Sequence, residues 1–183
     1  MLRILRYNII MFAHPKKIIA EFPCSFGSVV VDFGAGSGHF IPFLSQKVGQ
    51  SGKVLAIDIQ KELLQSLKKE AVRLSLRNVE VIWSDLERSR GSRLADAVVD
   101  GVLIANLFPY ISDKQVIPKE AGRILKPGGY ALIIERLNNT EFGGNKENIQ
   151  EVDVQELFSQ YGFTIQKKVD AGLYHYGILI RKV

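Results

Sequence analysis

Val29-Val30-Val31-Asp32-Phe33-Gly34-Ala35-Gly36-Ser37-Gly38 decides the fold. Its first half is a continuous apolar run broken by one acid, the composition of a strand buried on both faces of a sheet. Three glycines follow at every second position. Phe40, Phe43, Leu44 and Val48 then recur at helical spacing, so 38–48 reads as a helix. Glycines at such a junction let the backbone turn sharply and leave no side chains between it and a ligand. The first amides of the helix would face the same space.

Strands and helices alternate on the C-terminal side of this turn. Gly49-Gln50-Ser51-Gly52 punctuates, Val54–Asp58 is a second strand, and 61–76 is an amphipathic helix with Leu63, Leu64, Leu67, Ala71 and Leu74 on one face. Asn78–Asp85 and Asp100–Asn106 are the third and fourth strands, separated by a polar stretch with room for one short helix. Residues 112–125 are helical in pattern, with Pro118 starting or kinking the regular part, and Lys126-Pro127-Gly128-Gly129 stops them. Tyr130–Arg136 is the fifth strand and 138–151 a polar, glycine-bearing loop. Asp153-Val154-Gln155-Glu156 reads as a capping box for a helix ending near Gly162. Finally, 163–169 and 173–182 are strands joined by Asp170-Ala171-Gly172, short enough for an antiparallel hairpin. This succession is that of an α/β fold, a parallel sheet wrapped by helices.

With 183 residues the chain fits one domain, 1–183, and shows no repeat or low-complexity tract. The single cysteine, Cys24, excludes an intramolecular disulfide, and no Cys/His cluster has metal-ligand spacing. A reduced, cytoplasmic setting is therefore expected. The net charge of +5 and pI near 9.3 leave nucleic acid open as a partner. The basic residues form only pairs, such as Lys16-Lys17, Lys68-Lys69 and Lys167-Lys168, which favours an ordinary solvated surface. The apolar stretch in residues 1–12 is interrupted by Tyr7 and Asn8 and lacks a cleavage pattern, so it reads as a helix or strand over the fold rather than a signal peptide. Nothing approaches the ~20 apolar residues of a membrane span.

Asp58 ends the second strand twenty residues after Gly38, where a carboxylate can accept both hydroxyl protons of a ribose. The pattern as a whole signals an adenosine-type cofactor. A dinucleotide fingerprint would need glycine where the chain has His39. Asp32, two residues before the first glycine, would repel a pyrophosphate but suits a cofactor carrying an ammonium and a sulfonium.

From about residue 25 to the end the chain resembles the class I S-adenosylmethionine-dependent methyltransferases, closest in look to the quinone-type and other small-molecule enzymes. Asp32, Gly34, Ala35, Gly36 and Gly38 correspond to the family's first motif, around the methionine part of the cofactor. Asp58 matches the ribose-binding acid and Ile59 the apolar residue beside the adenine. Ser84-Asp85-Leu86 matches the segment whose acid accepts from the adenine amino group, and Ala105-Asn106-Leu107 the segment lining the methyl side. Arg123 to Tyr130 resembles the lead-in to the fifth strand. The resemblance implies S-adenosylmethionine as cofactor, and a doubly wound, mostly parallel seven-stranded sheet with helices on both faces and an antiparallel C-terminal hairpin. Each polar residue has a plainer role open to it: Asp85 as a helix cap, Asp32 as the cap of the next turn, Asn106 as a backbone partner at a strand end.

The reaction the resemblance implies is in-line transfer of a sulfonium methyl, in which the protein mainly positions the reactants. A base is needed only where the acceptor must lose a proton, and no catalytic residue is assigned. His14, His39 and Tyr110 are candidates to touch substrate, while His175 reads as an ordinary strand residue. Asn106-Leu107-Phe108-Pro109-Tyr110 departs from the Asn/Asp-Pro-Pro-Tyr motif of amine methyltransferases by an added residue and a missing proline, which disfavours a nucleobase amine. A small-molecule acceptor is expected, under a lid built from residues 1–20 and the loop 138–151; 1–24 is then an N-terminal lid or helical segment and 25–183 the cofactor-binding core. An RNA or protein methyltransferase and a non-catalytic cofactor-binding protein are the alternatives. The sequence sets no oligomeric state.

Overall fold

The structure, a computed structural model, describes residues 14–137 and 149–183. The lid expected from 1–20 and 138–151 therefore falls mostly outside the described residues. Five strands, β1 (Val29–Phe33), β2 (Lys53–Asp58), β3 (Val79–Trp83), β4 (Val99–Ala105) and β5 (Leu125–Arg136), run parallel. β6 (Phe163–Val169) and β7 (His175–Lys182) complete one seven-stranded sheet in the order β3-β2-β1-β4-β5-β7-β6, with β7 antiparallel to both neighbours. The chain winds outward from β1 to β3 and then returns to place β4 on the other side of β1. The crevice at the carboxyl ends of β1 and β4 is thus a topological switch point, where open α/β sheets bind ligands.

Helices α1 (Pro15–Ala20), α2 (Ile41–Val48) and α3 (Lys61–Arg73) cover one face; α4 (Val116–Ile124) and α5 (Glu151–Ser159) cover the other. The period-two alternation of strands sorts the core accordingly. Val30 packs with Ile18, Ile41, Leu44 and Leu67, whereas Val31 and Phe33 pack with Ile117, Ile124, Val154 and Phe158. α1 is short and held at its end: Lys47 of α2 donates from Nζ to the carbonyls of Ile19 (2.8 Å) and Ala20 (2.9 Å). Among the described residues no helix is long and apolar enough to cross a membrane.

Several boundaries differ from the sequence reading. α2 begins at Ile41 with Pro42 in its first turn, because residues 35–40 are spent on the turn that follows β1. The capping box at Asp153 is not formed. The chain reaches helical geometry earlier, with Gln150 as N-cap, so Asp153 lies inside the first turn beside Glu151, where acids complement the helix dipole. The stretch between β3 and β4 holds turns and no helix. β5 starts at Leu125, which pairs with Val99; the register then jumps, so that Lys126-Pro127-Gly128-Gly129 loops out before Tyr130 pairs with Gly101. The terminal hairpin has a longer connection than read, because β7 begins at His175 and Leu173 stays exposed.

Candidate active site

A cavity of about 510 Å³ opens at the switch point, within the size range of small-molecule sites. Gly34, Gly36, Asp58, Ile59, Asp85, Leu86 and Asn106, all expected at a cofactor site, line it; Asp32, Ala35 and Gly38 do not.

The three glycines serve three different ends. A Cβ on Gly34 would sit 2.7 Å from Cδ1 of Leu107, so Gly34 lets the segment after β4 pack onto the turn. A Cβ on Gly38 would sit 2.9 Å from Cγ of Leu67, so Gly38 lets α3 approach. A Cβ on Gly36 would meet nothing nearer than the Gly34 carbonyl at 4.0 Å; this glycine, at φ +54°, bares the backbone toward the cavity. The amides of Gly34 and Ala35 both donate to the Ile57 carbonyl, pinning the turn to β2.

Asp58 ties the same turn from the side. Its Oδ2 accepts from the Gly36 amide and its Oδ1 from the Gln60 amide, each at 2.8 Å, which fixes the carboxylate between turn and helix α3. Asp32 lies beneath, 2% exposed. Burial, and secondarily the nearby Asp58, push its pKa up to about 8. Beyond Asp58, Ile59 and Trp83 form an exposed apolar ledge: the indole Nε1 donates to the Ile59 carbonyl at 2.9 Å, and Lys61 Nζ stands 3.8 Å over the ring. Asp85 makes a local turn, Oδ1 accepting from the Glu87 amide at 3.0 Å, while also lining the cavity. No helix follows Asp85, so it caps a turn rather than the helix expected of it.

Asn106 ends β4 in the left-handed region (φ +51°), which asparagine tolerates better than most residues. Its amide donates to the Ile134 carbonyl at 2.8 Å, and its Nδ2 lies 3.3 Å from Nε2 of His175. His175 is a buried strand residue, as expected, yet one tied to the cavity wall. Tyr110, 65% exposed on the short 3-10 turn Phe108–Tyr110, lines the cavity. His14 and His39 do not: His14 caps α1 and lies edge-on to Phe43, and His39 lies edge-on to Phe40 with its pKa lowered by burial and by His14.

Sequence reasoning missed Gln60, Glu87 and Ile111 in the wall, and a buried carboxylate behind it. Oε1 of Glu135 accepts from the amides of Leu107 (2.7 Å) and Phe108 (3.1 Å). No group of three or more His, Cys, Asp or Glu side chains among the described residues could hold a metal ion.

Residues 25–169 match the family described as Methyltransferase domain. A solved S-adenosylmethionine-dependent methyltransferase from Aquifex aeolicus superimposes with a TM-score of 0.83 at 32% identity, covering 92% of this chain and 89% of that one. The ubiquinone/menaquinone biosynthesis C-methyltransferase of Haemophilus ducreyi is 30% identical over 82% of this chain and 56% of its own length. The arsenite methyltransferase of Aquipseudomonas alcaligenes is 38% identical over 63% of this chain and 37% of its own. The chain thus spans about a third to just over half of the length of these two curated relatives.

Proposed function

The chain belongs to the class I S-adenosylmethionine-dependent methyltransferases, and from that premise we propose that it methylates a small, flat, apolar acceptor of the quinol type. The observation that carries the donor half is the Gly36 backbone laid bare beside the fixed Asp58 carboxylate. Each Asp58 oxygen accepts one amide and keeps lone-pair capacity for the ribose hydroxyls. Ile59 offers apolar surface to the adenine, Asp85 an acceptor for its amino group, and Asp32 a carboxyl beneath the turn for the cationic end. S-adenosylmethionine supplies an electrophilic methyl group on its sulfonium. What the chain adds is alignment, which is the main lever on such a displacement.

The acceptor half rests on the rest of the wall. Leu107, Tyr110 and Ile111 continue the cavity past Asn106 as an apolar and aromatic surface suited to a planar ring. The quinone relative points the same way. Arsenite, the substrate named for the other relative, is a soft centre that thiolates hold. The one thiol here, Cys24, is buried against Phe22 and Gly101, with burial pushing its pKa up to about 12.

The test is twofold. Calorimetric titration should show tight binding of S-adenosylmethionine and its demethylated product but not of NAD, weakened in Asp58→Ala. Methyl transfer should then be followed to a 1,4-naphthoquinol, to arsenite and to total RNA. Turnover of the quinol supports the proposal; transfer to RNA or arsenite alone would replace its acceptor half, and preference for NAD would remove the donor half.

A further inference from the structure

Glu135 is fully buried near the end of β5. It continues the row of Ala131 and Ile133 on the face covered by α4 and α5, where its register partner on β7 is Tyr176. A carboxyl in such a place is costly to desolvate, and an apolar side chain would fill the position without that cost. Burial raises its pKa to about 7 despite the Phe108 and Leu107 amides and Arg136.

Its contacts show what the carboxyl does there. Oε1 takes the amides of Leu107 and Phe108, the donors at the start of the 3-10 turn, which have no acceptor within the turn itself. One residue earlier, the Asn106 amide takes the carbonyl of Ile134. Three successive amides after β4 therefore hang from two successive residues of β5. This segment carries Asn106, Leu107, Tyr110 and Ile111 to the cavity. The glycine turn hangs elsewhere, from the Ile57 carbonyl and Asp58. Oε2 has no partner among the described residues, so a single accepting oxygen performs the whole task.

We propose that Glu135 is a positioning residue that sets the segment after β4, and through it the acceptor wall of the cavity more than the donor site, a role that rests on the methyltransferase reading above. Glu135→Gln keeps the accepting oxygen and Glu135→Leu removes it; Glu135→Met, unbranched and without the oxygens, serves if the leucine variant does not fold. Three readouts apply to the full chain: hydrogen exchange at the Leu107 and Phe108 amides, S-adenosylmethionine affinity, and turnover of a 1,4-naphthoquinol. In the leucine or methionine variant, exchange at those two amides should accelerate about tenfold or more. The quinol kcat/KM should fall about 10- to 100-fold, while the S-adenosylmethionine Kd, which senses this segment only through Asn106 and the packing of Leu107 on Gly34, should rise by no more than about threefold. Glu135→Gln should recover the larger part of both losses. Unchanged exchange at Leu107 and Phe108, or a loss of S-adenosylmethionine affinity as deep as the loss of kcat/KM, overturns the proposal. A wild-type protein inert toward the quinol counts against the acceptor class alone, and the exchange and affinity measurements then decide on Glu135.

Discussion

Gly34→Ala tests whether the glycine turn and the segment after β4 form one packed unit. Two costs add at this position. Gly34 sits at φ +72°, where an L side chain loses about 1–2 kcal/mol. Its new Cβ would lie 2.7 Å from Cδ1 of the buried Leu107, an overpacking worth about 1–3 kcal/mol. The sum, about 2–5 kcal/mol, is a large fraction of a typical folding free energy. Leu107→Ala alone should cost about 2–5 kcal/mol through the cavity it leaves. In the double variant the clash is gone while the backbone strain remains, so the pair should be less destabilised than the sum of the singles by about 1–3 kcal/mol. Urea unfolding of the four proteins, with slopes of about 1–3 kcal/mol per molar, resolves such a coupling. Additivity within about 0.5 kcal/mol would refute the packing argument, and a single-variant cost below that would refute the strain argument too.

Asp32 governs two further expectations. With its pKa near 8 in the folded chain and an ordinary value of 3.8, the native state holds a proton that the unfolded state has released. Its contribution to stability is therefore full below pH 4 and is lost as pH rises toward 8; Asp32→Asn should flatten the fall in stability across that window in urea melts at a series of pH values. Binding of a cationic cofactor should pull the same proton off, so calorimetry at pH 7 in buffers of differing ionisation enthalpy should record release of about one proton, and zero linkage would count against Asp32 as the counter-charge. On the opposite flank, Glu120 holds Arg123 through Oε1 at 2.6 Å and Oε2 at 2.8 Å. Burial works against the Glu120 carboxylate, but Arg123 and Ser92 outweigh it and keep its pKa low. Arg123 keeps Asp96 and the Leu94 carbonyl without Glu120, so Glu120→Ala should cost about 1–3 kcal/mol, chiefly by leaving the buried Ser92 amide without its acceptor, and leave the S-adenosylmethionine Kd unchanged, since neither residue lines the cavity.

The proposed donor half of the site was legible because its physics is local. A continuous apolar strand, glycines at alternate positions and an acid at the next strand end announce themselves within thirty residues. Even so, the three glycines look alike in sequence, and only Leu107 and Leu67, distant in the chain, separate the packing glycines from the one that faces the cavity. Helical spacing from Phe40 onward masked the true start of α2, since Phe40 and Ile41 are buried whether the backbone is turn or helix. The Asp153–Glu156 spacing likewise matched a cap while lying inside the helix it was thought to begin. Ile111 resembles a core residue until the fold brings it to an opening. Glu135 was invisible for the opposite reason: one acid at the close of an apolar strand looks like the point where the strand meets water, and only the amides of Leu107 and Phe108 reveal it as interior.

The sheet order β5-β7-β6 means that the sheet is assembled out of chain order. β6 leaves the ribosome before β7, yet β7 lies between β6 and every other strand. Until β7 arrives, β6 has nothing of its own to pair with, and the long edge of β5 stands open. Direct pairing of β6 onto β5 would occupy the place that β7 must take. An unpaired edge of this kind is also a template for association with other chains. Because only a short connection separates Val169 from His175, β6 and β7 can close as a hairpin first and reach the β5 edge already paired, with β7 facing it.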